Sequence, residues 1–110
     1  MEVRGDKKDF IPIYENLSKD AIKNKVDEII QSLKNNSIVG EHIKHEQIPN
    51  YYKHRHNVQV LYRVALPQHW RLIYTFQTFA KSEKPKVLLL ELMDHDSYNK
   101  RFGYFKKKSD

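Results

Sequence analysis

The chain has 110 residues, 39% hydrophobic and 31% charged, with no cysteine and a formal net charge of +6. This is enough for one domain and one modest core, and it excludes disulfide scaffolds, thiol nucleophiles and cysteine-held zinc. The longest apolar run, Val87 to Leu90, is far too short to span a bilayer, and the polar start from Met1 to Asp9 does not read as a secretory signal, so the expected setting is cytoplasmic.

Charge is divided unevenly. Residues 1–50 carry 8 Lys/Arg and 9 Asp/Glu, whereas residues 51–110 carry 12 Lys/Arg and 5 Asp/Glu. Four of the six histidines, His54, His56, His69 and His95, also fall in the second half. A basic half of this kind suits either a polyanion partner or a solvated surface.

The segments expected to be flexible are 1–9 and 106–110. Phe10 to Tyr14 reads as a short strand, placed at an edge because Pro12 lacks a ladder donor. Ser18 then caps a helix, with Leu17 and Ile22 at staple positions. Ile22, Val26, Ile29, Ile30 and Leu33 share one face at helical spacing, and Asn35-Asn36 supplies a left-handed stop. Gly40 and Pro49 interrupt the next stretch; a short helix is expected around Glu41 to Gln47, and Tyr51 to His56 reads as a basic aromatic loop or edge strand.

Two alternating strands come next, Val60 to Leu66 and Trp70 to Phe76, joined by Pro67-Gln68-His69. A three-residue loop pairs Leu66 with Trp70, and therefore 65 with 71 and 63 with 73. Arg63, Ala65 and Arg71 then share one face, basic and open, while Val64, Leu66, Trp70 and Leu72 share the other. A two-residue loop would split the arginines between faces. After a polar loop from Lys81 to Pro85, Lys86 to Met93 reads as a central strand buried on both faces. A short helix is expected beyond Asp94.

Arg63 and Arg71 on one open face are suited to gripping phosphate. His95 follows the buried strand directly, near that face, and imidazole can move protons close to neutral pH. Other chemistries find less support. His42 with His45, or His54 with His56, would pair on a metal without a third ligand. Gly5, Gly40 and Gly103 are isolated and make no phosphate loop. The Lys106 to Lys108 tail reads as a solvated basic end that can add affinity for phosphates.

The order of Leu61-Tyr62-Arg63-Val64, Trp70-Arg71-Leu72-Ile73-Tyr74 and a last strand running into His95 and Tyr98 resembles the RelE/ParE toxin superfamily over residues 10–104. The resemblance is greatest to archaeal and phage-borne members with a His-x-x-Tyr ending. It implies an α+β fold in which N-terminal helices pack on one face of a twisted, mainly antiparallel sheet that ends in a short helix. It also implies a toxin of a type II toxin-antitoxin system, a ribosome-dependent mRNA endoribonuclease that works by 2′-hydroxyl attack without cofactor or metal and is silenced by an antitoxin protein. Carried over by position, Arg63, Arg71, His95 and Tyr98 are the catalytic candidates. Apart from that carry-over, the basic residues Lys53, His54, Arg55, Lys100 and Arg101 are expected to bind RNA. Where RelE has a second lysine on the first strand, this chain has Ala65. Two rivals share the fold: a ParE-like topoisomerase inhibitor, and a noncatalytic RNA- or protein-binding domain. Phe102, Tyr104 and Phe105 form a candidate surface for the antitoxin or, equally, pack on the sheet.

Overall fold

The computed structural model describes residues 1–18, 20–78 and 84–103. Among these the chain forms four α-helices and one five-stranded mixed sheet. In chain order the elements are β1 (Val3–Gly5), α1 (Ile11–Glu15), α2 (Asp20–Lys34), β2 (Glu41–Ile43), α3 (Asn50–His56), β3 (Leu61–Ala65), β4 (Arg71–Gln77), β5 (Lys86–Met93) and α4 (His95–Phe102). The strand order is β1-β5-β4-β3-β2; β1 runs parallel to β5 and every other pairing is antiparallel.

The hairpin has the expected register. Arg63 lies opposite Ile73 and Ala65 opposite Arg71, and the Leu66 N–H donates to the Trp70 carbonyl at 2.9 Å. β5 is central, between β1 and β4, as its apolar run predicts. The periodicity of α2 is also borne out: Ile22, Val26, Ile29 and Leu33 are buried beneath it. Its end is a left-handed Asn36 (φ 66°), with Asn36 N–H to Leu33 O at 3.0 Å and Ser37 N–H to Ser32 O at 2.9 Å. This pair of hydrogen bonds is the Schellman arrangement that satisfies otherwise orphaned carbonyls.

Several expectations are overturned. Residues 10–14 are not a strand: Pro12 sits in the first turn of α1, where its missing N–H costs nothing. Phe10 and Tyr14 stack at 5.6 Å, an i,i+4 pair. The first strand is Val3–Gly5, inside the segment expected to be flexible, and it is held by pairing with Val87 to Leu89. Glu41–Ile43 is an edge strand rather than a helix, followed by a 3-10 turn at His45–Gln47. Tyr51 to His56 lie in α3, which ends on left-handed Asn57 (φ 52°).

The second sheet face is not open. One core lies between α2 and the face bearing Val64, Leu66, Leu72 and Tyr74. A second core covers the opposite face, where Tyr52 of α3 and Tyr98 of α4 pack on Leu61, Ile73, Leu90 and Met93. A bulge in β5 opposite Ile73/Tyr74 shifts the alternation so that Leu90 and Glu91 both serve this second layer. Lys19, most of the Lys81 to Pro85 loop, Tyr104, Phe105 and the 106–110 tail lie outside the described residues.

Candidate functional site

The antiparallel register brings the candidate residues to one corner of the sheet. Arg71, at the start of β4, lies opposite both Ala65 on β3 and Met93 on β5. The β3–β4 hairpin tip therefore sits beside the end of β5, where α4 begins. Asp94 caps α4 by accepting the Ser97 N–H at 2.9 Å, and this bond holds its carboxyl below the ordinary carboxylate range. Residues 95, 98 and 99, spaced three and four apart, fall on one face of the helix.

Tyr98 is the centre of the arrangement. It is only 4% exposed. Its hydroxyl accepts a hydrogen bond from Arg63 Nη1, and Arg71 Cζ stands 5.3 Å from its ring centroid. Arg63 also pairs with Glu41 across the β2–β3 ladder at 3.0 Å. Burial works against the Arg63 charge, but the bonds to Tyr98 and Glu41 outweigh it and push its pKa up. Arg71 is different. Among the described residues no carboxylate pairs with it, and its Nη1–H donates to the Trp70 carbonyl at 3.0 Å. It is half-buried, cationic and the freer of the two arginines to meet an incoming anion.

Two imidazoles meet at the same corner. His69 from the hairpin tip and His95 from the start of α4 have ring centroids 5.6 Å apart, and both residues are exposed. Asn99 Nδ2 lies 3.2 Å from His95 Nε2, so the amide one turn on restrains that ring.

The expected RNA-binding residues divide into two groups. Arg101 makes a two-point bond to Glu91, at 3.0 and 3.1 Å, and stacks 3.6 Å from the Tyr51 ring centroid. Arg55 pairs with buried Asp6 at 3.1 Å. These two arginines tie α3 and α4 to β5 and to the turn after β1. Lys100 and His54 are exposed, and Lys53 is half-buried. Among the described residues no three His, Cys, Asp or Glu side chains converge as a metal centre requires.

Comparisons with protein-family models, curated proteins and solved structures returned no match.

Two site residues escape the sequence. Glu41 becomes a partner of Arg63 only when 41–43 is a strand. His69 becomes a neighbour of His95 only when β4 lies beside β5. The hairpin register supplies half of that second relation; the β4–β5 pairing supplies the other half, and no local pattern announces it.

Proposed function

We propose that this protein is a RelE-like toxin, an endoribonuclease that cuts mRNA on the ribosome by attack of the RNA 2′-hydroxyl. The observation that carries the reading is the convergence of Arg71, Arg63, Tyr98 and His95 at one sheet corner, with Arg71 free of any carboxylate among the described residues. The element order supports it too: a strand and two helices come first, and the antiparallel run β3-β4-β5 bearing Arg63 and Arg71 leads into a short C-terminal helix.

In this mechanism Arg71 holds the scissile phosphate and stabilises the charge that develops on its oxygens as the bond breaks. His95 transfers a proton. Tyr98 is a positioning residue, because its buried hydroxyl is occupied by Arg63 and its ring underlies Arg71. Expression in cells lacking the antitoxin should arrest growth and produce new mRNA 5′ ends. Arg71→Ala should lower the cleavage rate by about 10²–10³ while the protein stays folded. An unchanged cutting rate in that variant would remove Arg71 from the site.

The Arg63–Glu41 pair favours a second reading, a noncatalytic binding domain of the same fold, since it gives Arg63 a structural task. Arrest without cuts would point to a topoisomerase target of the ParE kind.

A further inference from the structure

We propose that His69 is a catalytic residue and that His69 and His95 form the proton-transfer pair of an RNA-cleaving site. This rests on the endoribonuclease reading and names a residue outside the set that the resemblance implies.

The first argument is geometric. In transesterification at an RNA phosphodiester the 2′-oxygen enters and the 5′-oxygen leaves on opposite sides of phosphorus. Two proton-transfer groups must flank the phosphate, and a cation must face its remaining oxygens. Two exposed imidazoles with centroids 5.6 Å apart, and an arginine two positions along from one of them, form such a set. Asn99 contacts the His95 ring, Asp94 caps α4 immediately before His95 with its carboxylate committed to the Ser97 N–H, Asp96 follows His95 on α4, and Arg71 stands against the Tyr98 ring at the same corner.

The second argument is the backbone. Gln68 and His69 are consecutive left-handed residues, φ 59° and 64°, and neither is glycine. A side chain with a Cβ is disfavoured in this conformation. Glycine would close this hairpin with less strain, and strained non-glycine residues concentrate where a side chain has a task. The third is restraint: Asn99 holds the His95 ring as a base is held by a third group.

The step balances without another reactant. One imidazole takes the 2′-hydroxyl proton as the O2′–P bond forms. The P–O5′ bond breaks, and the other imidazole, protonated, gives its proton to the 5′-oxygen. The products are a 2′,3′-cyclic phosphate and a 5′-hydroxyl.

The test uses the full chain and mRNA on ribosomes in single-turnover reactions, with a second substrate carrying sulfur in place of the bridging 5′-oxygen. A thiolate leaves without a proton. His69→Ala and His95→Ala should each slow the oxygen substrate by about 10²–10⁴. The sulfur substrate should restore cleavage in one of them, the variant lacking the acid, and not in the other. His69→Gly guards against misfolding: it relieves the left-handed strain, so it should melt no lower than wild type yet cut as poorly as His69→Ala. Near-normal cutting by both His69 variants, beside an inactive Arg71→Ala, would overturn the pair and leave the endoribonuclease reading standing. Rescue of neither histidine variant, or of both, would overturn the pair as well. Absence of any cleavage by the wild type would overturn both.

Discussion

Asp6 shows how much a single carboxylate holds together in this molecule. It is buried, accepts the Lys8 and Asp9 N–H groups at 3.0 and 2.7 Å, and pairs with Arg55. His56 Nε2 also lies 3.0 Å away, close but poorly aligned for a hydrogen bond. Burial alone would raise the Asp6 pKa, but the two N–H groups and Arg55 prevail and hold it below the ordinary value. A lowered folded pKa means that the contribution is whole above the unfolded carboxyl value, about 4, and fades as pH falls through the folded one. Asp6→Asn should therefore lose on the order of 2 kcal/mol at neutral pH. In thermal melts across pH 2 to 7 the gap between variant and wild type should narrow in acid; a constant gap would show that Asp6 acts through packing alone. None of this was legible in the sequence, where Asp6 is one polar residue in a stretch with no periodicity. Its partner Arg55 comes from α3, 49 residues on. Arg63 and Arg71 were legible as a pair because both lie on one hairpin, whose register follows from local alternation.

At the level of elements, legibility tracked locality. α2 carries its own stripe and stop, and the β3–β4 hairpin its own loop. β1 is three residues long and paired with a strand more than eighty residues away, so no alternation announces it. α3 is bounded by Pro49 and a left-handed Asn57, both helix-end signals, but its run of basic and aromatic residues has no clean stripe. The crossing from α2 to β2 rests on Gly40, at φ +89°, where a Cβ would strike the Arg63 carbonyl oxygen. The Tyr74 hydroxyl secures the same crossing by donating to the Val39 carbonyl at 2.5 Å. Gly40→Ala should therefore cost about 2 kcal/mol or more, through both the left-handed backbone and the clash. The urea midpoint would measure it, and a midpoint within error of wild type would mean that the crossing yields at little cost.

Across the whole molecule, the sheet separates two cores with different duties. The α2 side is aliphatic and aromatic packing in the ordinary sense. The α3/α4 side mixes apolar packing with the Glu91 cluster, in which Tyr52 donates to Glu91 Oε1 at 2.7 Å and Arg101 grips the same carboxylate. Composition held no sign of this second layer, and the expectation of a bare basic face failed because residues 50–56 and 95–102 fold over it. The site therefore stands on the rim of a packed core. Ile73→Ala, at a fully buried position beneath that rim, should cost about 2–5 kcal/mol, read as a lowered melting temperature. Charge belongs to this scale too. If the basic half meets RNA, affinity should fall linearly in log–log form as salt rises, by several-fold between about 50 and 200 mM salt even for a few phosphate contacts. Salt-independent binding would argue against a backbone-phosphate interface.

The central position of β5 carries a consequence for how the protein is made. A ribosome delivers β1, β2, β3 and β4 before β5 emerges, yet β1 joins the rest of the sheet only through β5. Until Lys86 to Met93 clear the exit tunnel, the nascent chain is a hairpin and a helix beside an unclaimed amino-terminal strand. Closing a loop of this length is slow compared with closing a hairpin. The sheet is therefore completed only when β5 joins β1 to the β4-β3-β2 ladder, and the corner bearing His69, Arg71 and His95 comes into being at the same stroke.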